Sequence, residues 1–403
     1  MSEIIDTHLE NFGYAMIFVV GKQDKESLGE PSTIIQENFL QSIPEGASTS
    51  LTKGNEATYR FFPKLGVYVG YMDKKGINKT KDIAASLHPA ENISPIRPVA
   101  KRLAMSAGSM TWGCQRLGLD KIWSQGLTGK GVRVGHLDTG VDAKHEALRG
   151  KIKGFIDTDP NTGDIIPDPR SPEDAAYDSD EHGTHTAGTI CGGLANGMAI
   201  GVAPNCDLFS GLVIEGGKVE FRVLRGMEWC IENHVRILSM SLGLRGYTPV
   251  WLEIVRRLRQ NGVLPVFAIG NEGPGTSRSP GNYVEPISVG AMDSNDHVAD
   301  FSSSVKFDRQ EEPYEPEVVA PGVNVISAKP GGGVQAMDGT SMATPHAAGV
   351  AAILFQFQPT ATLEQIEKAL QDTCRPLTGE SKIRYGYGSI DVQAAMAALK
   401  KMM

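Results

Sequence analysis

VRVGHLDTG, residues 132–140, is a short apolar run closed by an aspartate, a threonine and a glycine. A run of this length with no alternation of polar residues reads as a strand buried on both faces. Asp138 follows the run directly, and Gly140 permits a tight turn. Working outward, similar runs recur at CDLFSGLVI (206–214), VRILSMSL (235–242), VLPVFAI (263–269) and PISVGAM (286–292). The segments between them are long enough for crossover helices, among them KVEFRVLRGMEWCIENH (218–234) and PVWLEIVRRLRQN (249–261). This alternation predicts an α/β fold from Trp112 onward, with a mostly parallel sheet covered by helices on both faces.

The first hundred residues carry a different pattern. GYAMIFVV (13–20), STIIQENFLQSI (32–43), ATYRFF (57–62), GVYVGYM (66–72), NKTKDIAASL (78–87) and NISPIRPV (92–99) read in turn as β-α-β-β-α-β. That order predicts a small ferredoxin-like α+β domain over residues 1–98. AKRLAMSAGSM (100–110) has neither apolar period nor bulk, so residues 99–111 read as a linker and 112–403 as the larger domain.

The net charge of −8, with no basic block, argues against an electrostatic hold on nucleic acid or on an anionic membrane. MSEIIDTHLE at the amino end is acidic, and YAMIFVV (14–20) is too short for a signal core or a span, so the expected location is cytoplasmic. Leaderless export stays open. The five cysteines are odd in number and irregularly spaced, with no CxxC pair, and read as buried free thiols.

In such a sheet the reactive groups belong where strands end, because the crevice opens at the carboxyl edge. Asp138 is one candidate. His182, in DEHGTHTAGTICGG (180–193), opens a segment whose small residues let a helix pack closely. Ser341, in MDGTSMATPHAAGVAAI (337–353), is the third. With Thr340 as helix cap and Ser341 as the first helical residue, the serine N–H is an unpaired donor where the helix dipole favours negative charge. Pro345 has no N–H, which leaves the Ser341 carbonyl without its helical partner. A serine hydroxyl is a weak nucleophile unless an imidazole takes its proton and a carboxylate orients that ring. His182 and Asp138 supply both.

Taken together, GKGVRVGHLDTGVDAKHEAL, HGTHTAGT, IGVAPNCDLF, LSMSLG, FAIGNEG, SVGAMDS, VAPGVNVIS, GTSMATPHAAGVAAIL and YGYGSIDVQAA span nearly all of the chain after Trp112. In that order they resemble the subtilisin-like serine proteases. The resemblance implies Asp138 as orienting acid, His182 as general base and then general acid, and Ser341 as the nucleophile that forms an acyl-enzyme. It implies Asn271 in the oxyanion hole and Ser241, Leu242 and Gly243 along an extended substrate, which is a polypeptide. The amino-terminal domain resembles, in pattern, the family's inhibitory prosegment. That implies a self-inhibited zymogen in which the prosegment is a partner of the larger domain and Ser341 cuts between Val99 and Thr111. The rival reading of that domain is a permanently attached docking or regulatory module.

The chain departs from the family in places. His145-Glu146-Ala147-Leu148 lacks a frequent calcium-ligand aspartate, and CGGLANGMAI (191–200) offers only Asn196 as a side-chain oxygen, so no calcium site is carried over and no cofactor is expected. The acidic insertion at 156–181 reads as a solvated loop. At the specificity pocket Glu272 favours basic side chains and Arg278 acidic ones, while Leu244 stands where the family often has glycine. His185 reads as helix packing, without metal. His136 stands where the family carries small or aliphatic residues, and reads as packing. Two other classes remain: a peptide-binding pseudoprotease, which the intact catalytic set disfavours, and an esterase of the α/β-hydrolase kind, which needs a GxSxG elbow that is absent.

Overall fold

The computed structural model describes residues 3–21, 32–42, 59–91, 93–103, 108–160, 162–214, 216 and 218–402. Eight parallel strands form the main sheet, in the spatial order Gly388–Ser389, Val318–Pro321, Ile287–Met292, Leu264–Ala268, Ile237–Met240, Arg133–Asp138, Asp207–Leu212, Ile152–Asp157. The sequence runs became strands because they are apolar on both faces, and helices cover both. Beneath one face lie His182–Cys191 and Thr340–Phe357, and on the other Val219–Glu232 and Leu252–Gln260. This is the expected α/β architecture.

Strand order places the site. From Arg133–Asp138 the chain first builds two strands to one side, then crosses back and adds the rest on the other. The carboxyl end of that strand is therefore the switch point, where neighbouring connections diverge and a crevice opens. Asp138 is its last residue.

The amino-terminal domain is a four-stranded antiparallel sheet in the order Tyr59–Phe62, Val67–Asp73, Tyr14–Gly21, Ala84–Pro89. It differs from the expected β-α-β-β-α-β pattern at both ends. A helix, Glu3–Phe12, precedes the first strand. The last strand is Ala84–Pro89, because NKTKDIAASL splits between the end of the helix Lys74–Thr80 and that strand. Parts of the runs 32–43, 57–62 and 92–99 lie outside the described residues.

The small domain is clamped to the large one. Phe18, Val20, Phe62, Leu65 and Val69 share one apolar cluster with Met227, Trp251, Leu258 and Phe267. Phe18 meets the Trp251 ring edge-on at 5.8 Å, a favoured aromatic geometry. Polar contacts rim the cluster: Lys64 N–H donates to Glu228 Oε1 at 2.8 Å, Arg257 donates to the Gly21 carbonyl at 3.0 Å, and Arg60 pairs with Asp164.

Residues 94–103 leave the small domain and cross the large one. Ser94–Pro95 pairs antiparallel with Leu242–Arg245, and Ala100–Leu103 pairs antiparallel with Val334–Asp338. So part of the expected linker is a strand, and residues 104–107 are outside the described set. All five cysteines are free thiols, and no helix among the described residues is long and apolar enough to cross a membrane.

Candidate active site

Asp138 is 1% exposed, and an ionised carboxylate at that depth must be hydrogen-bonded. Its Oδ1 accepts from the Thr139 N–H at 2.7 Å and faces His182 Nδ1 at 2.7 Å. Its Oδ2 accepts from the Thr186 hydroxyl at 3.3 Å. Burial alone would raise its pKa, but the His182 ring, the hydrogen bond to it, the nearby His136 ring and the Thr139 N–H together hold the carboxyl below the ordinary range.

His182 begins a helix that abuts the turn after Asp138. Gly183 makes the approach possible, since a Cβ there would lie 2.0 Å from the Gly140 carbonyl oxygen. Thr139 Oγ1 accepts from the Gly183 N–H at 2.8 Å, and Asp178 accepts from the Thr184 N–H and from the Thr139 hydroxyl at 2.6 and 2.7 Å. One free donor at the helix start is thus satisfied by the turn that carries Asp138, and a second by Asp178, which is itself tied to that turn through the Thr139 hydroxyl. The ring of His182 is fixed with Nδ1 on the aspartate. Its Nε2 is buried and has no hydrogen-bond partner among the described residues.

Ser341 lies one residue further into its helix than the sequence predicts. Gly339 is the cap, Thr340 is the first helical residue and Ser341 the second. The correction follows from Asn271, whose Oδ1 accepts both the N–H and the hydroxyl of Thr340 at 2.9 Å, so the threonine side chain is not free to cap. The helix runs on through Pro345, and the Ser341 carbonyl faces the Ser241 hydroxyl at a long 3.5 Å.

The cleft is filled by residues 94–103. Ile96 N–H donates to the Ser241 carbonyl at 2.9 Å, Gly243 lies opposite Ser94, and Leu242 opposite Pro95. A side chain at Gly243 would collide at 2.9 Å with Arg278 Cβ and the Ser279 carbonyl, so glycine here permits the close approach of the neighbouring strand Arg278–Ser279. The Ser341 hydroxyl donates to the Ile96 carbonyl at 2.6 Å. One peptide further on, Asn271 Nδ2 donates to the Arg97 carbonyl at 2.9 Å. Beyond that, Val99 N–H donates to the Asp338 carbonyl at 2.7 Å, and Arg102 forms a two-point pair with the Asp338 carboxylate at 2.8 and 2.6 Å. Asp180 accepts from Arg97 and from Lys101, the latter at 3.3 Å.

The structure pairs Asp138 with His182, sets Ser341 and Asn271 on consecutive carbonyls of the segment 94–103, and runs Ser241, Leu242 and Gly243 along that segment; among the described residues no hydrogen bond joins His182 to Ser341. A model of the subtilase family matches residues 129–388, more than half of the chain and all of these groups. The chain belongs to the subtilase family. Among its relatives, subtilisin E of Bacillus subtilis (strain 168) is 36% identical over 296 residues, 72% of each chain. Subtilisin of Bacillus pumilus is 35% identical over 296 residues, 72% of this chain and 99% of that one. An alkaline protease of Alkalihalobacillus alcalophilus is 35% identical over 317 residues, 77% and 76%. This subtilase is a serine endopeptidase.

In this subtilase the two opposed charges expected at the specificity pocket meet each other. Arg278 donates through Nε to Glu272 Oε1 at 2.9 Å and through a second nitrogen to the same oxygen, while its Nη1 reaches the Gly243 carbonyl and the Ser94 hydroxyl at 3.1 Å. Neither charge is free to select substrates alone. Leu244 pairs with Ser279 and packs on the apolar cluster shared with the small domain.

Calcium is common in subtilases; here Ala147 stands where a ligand aspartate is frequent. Glu146 Oε1 is committed to the Asn196 N–H at 2.8 Å, and no group of three or more His, Cys, Asp or Glu that could hold a metal ion occurs among the described residues. His185 Nε2 lies 3.0 Å from the Val325 carbonyl, a helix-to-strand contact.

Three features were beyond sequence reasoning. Thr340 orients Asn271, Asp178 secures the start of the histidine helix, and His136 joins a buried polar row described below. The aspartate had a signal, standing four residues before His182 in an acidic loop, but several carboxylates there were equivalent until folding chose one.

Proposed function

We propose that Asp138, His182 and Ser341 act as one triad, and that residues 1–98 hold it in check as an attached prosegment. The supporting observation is the split of consecutive carbonyls: Ile96 on the nucleophile, Arg97 on the amide of Asn271. Attack requires one carbonyl to meet both groups, with its carbon at Ser341 Oγ and its oxygen at the donors. Seated as it is, the strand occupies the cleft with the serine proton spent on a carbonyl and His182 Nε2 without a partner among the described residues.

Turnover on a free polypeptide follows from the same geometry. The substrate pairs with Ser241–Gly243 as a further strand, and His182 Nε2 takes the hydroxyl proton as Ser341 Oγ bonds to the carbonyl carbon. Asn271 Nδ2 and the Ser341 N–H hold the developing oxyanion, and Asp138 stabilises the imidazolium. The carbon–nitrogen bond then breaks, and His182 passes its proton to the leaving amine. Water, deprotonated by His182, hydrolyses the ester and restores the serine.

The pairing also supports a site for self-processing. Ser94 opposite Gly243 and Ile96 N–H on Ser241 put the Ile96–Arg97 bond at the nucleophile, upstream of the expected 99–111 segment. Cleavage there needs the Ile96 carbonyl to turn toward Asn271 and displace that of Arg97. Intact mass over prolonged incubation at several pH values tests this. Wild type should lose residues 1–96 and begin at Arg97, whereas Ser341→Ala keeps its full mass. The same full-length mass in both would leave the small domain as a permanent regulatory module.

Ser210, His136 and Asp138 form a second set of the same residue types. Ser210 sits mid-strand between two paired neighbours, so no polypeptide reaches it, and the set is not a nucleophilic site.

A further inference from the structure

His136 is the one polar residue between Val134 and Asp138 on the central strand, and it is 1% exposed. In register beside it stand Ser210 on one neighbouring strand and Ser239 on the other, so a polar row crosses an otherwise apolar sheet below the His182 helix. The ring is held at both nitrogens: Nδ1 lies 2.9 Å from Ser210 Oγ and Nε2 lies 2.8 Å from Thr186 Oγ1. Nε2 is also 3.7 Å from Asp138 Oδ2, too far for a direct bond.

Proton bookkeeping selects the tautomer. Ser210 is fully buried, and among the described residues the ring of His136 is the partner its side chain has, so the serine proton goes to Nδ1. The ring proton then sits on Nε2 and is donated to Thr186 Oγ1. With that oxygen accepting, the threonine proton is free for an acceptor of its own. Three lie in reach: the His182 and Gly183 carbonyls, both at 3.1 Å, and Asp138 Oδ2 at 3.3 Å. The carboxylate is the charged acceptor, and charge-assisted bonds are the stronger ones. Burial pushes the His136 pKa down to about 4, so the ring is neutral and keeps one proton at neutral pH.

We propose that His136 is a positioning residue for the triad: as the Nε2–H tautomer it turns the Thr186 hydroxyl onto Asp138 Oδ2, the carboxylate oxygen that His182 does not use. The aspartate is thereby held by donors at both oxygens, and its plane is fixed against the His182 ring. This rests on the triad reading given above.

The test has two arms. In the first, full-length protein carrying 15N-histidine is examined by long-range 1H–15N NMR, with His136→Gln to assign the ring. A neutral Nε2–H ring is expected, and an Nδ1–H ring overturns the proposal without any assay of activity. In the second, His136→Val, Thr186→Val, the double variant and His136→Gln are assayed on a peptide substrate in whatever form wild type reaches after incubation. Each single valine variant should lower kcat about 3- to 10-fold, the worth of one hydrogen bond, with KM unchanged. The acid limb of the kcat/KM profile should move upward, because a carboxylate that has lost a donor holds the His182 proton harder. The double variant should be no worse than either single one, and His136→Gln, which keeps a donor near Nε2, should recover most of the rate. Additive losses, an unmoved acid limb, no recovery in His136→Gln, or full kcat in Thr186→Val overturns the proposal. Should His136→Val fail to fold, Thr186→Val and the NMR arm still decide. An inactive wild type, or an active Ser341→Ala, would instead condemn the triad reading.

Discussion

Ile96→Ala should loosen the strand from the cleft. The Ile96 side chain is 1% exposed, and releasing residues 94–103 would return it to water. Alanine removes three carbons at about 0.8 kcal/mol each, so the seated state loses roughly 2 kcal/mol relative to the released one. That is about a 30-fold rise in the released fraction. The main-chain bonds from Ile96 N–H to Ser241 and from Val99 N–H to Asp338 are untouched, so the strand should still seat, only less often. A phosphonate that bonds covalently to an activated serine reads the released fraction directly. Freshly purified full-length protein is treated for short times, and labelling is followed by intact mass, which separates the full chain from any cleaved form. Labelling of Ile96→Ala should be about 30-fold faster than of wild type. Ile34→Ala, altering a residue 65% exposed on the small domain, should leave the rate unchanged. If Ile96→Ala and wild type label within a factor of about two of each other, the strand does not gate the nucleophile and the self-inhibition argument fails.

Arg102→Ala should act more weakly in the same assay, about 2- to 5-fold, because the arginine is half exposed although its pairing with Asp338 is two-pointed; the increment should shrink in high salt. Burial opposes it, but Arg102 and the Asn324 N–H hold the Asp338 carboxyl below its ordinary 3.8, so this stabilisation is present above that value and disappears as pH falls through the depressed one. Thermal melts of wild type and Arg102→Ala should therefore differ at neutral pH and converge in strong acid; a constant gap would refute the pairing. Asn271→Ala should lower kcat about 10²–10³-fold with little change in KM, the scale known for this group in a family member. An unaffected kcat would remove Asn271 from the oxyanion site. Gly183→Ala places a methyl 2.0 Å from a backbone oxygen on the Asp138 turn, and should cost about 1–3 kcal/mol in chemical denaturation and displace His182, with loss of hydrolysis. Normal stability and activity would show that the helix start does not set the histidine.

Most of the large domain was legible because its signals are local. A strand buried on both faces needs an apolar run, and the groups at its end follow in the next residue, as Asp138 does after VRVGHL. The small domain was read less well. EIIDTHLENF carries Ile5 and Leu9 at helical spacing, and Ile5 is buried, but acidic and polar residues surround them and leave the apolar period weak. NISPIRPV has strand-like composition, yet its partner could not be read from it, since extended chain pairs with whichever free edge the fold presents.

By itself the sequence offered the candidates for the chemistry: an aspartate after a buried strand, a histidine and a serine at the starts of helices made of small residues, and, through the family resemblance, an asparagine after another strand. Covalent neighbours and residue type suffice to offer the first three. Only the tertiary structure decided what each group faces. It matched Arg278 to Glu272 and so cancelled two charges that pointed to opposite preferences, it set Ser341 and Asn271 on successive carbonyls of residues 94–103, and it gave His136 a partner at each nitrogen. The physical reason is common to all three. Hydrogen bonds and ion pairs are settled over a few ångströms between atoms that lie far apart in the chain, so their pairing is fixed when the sheet closes and not before.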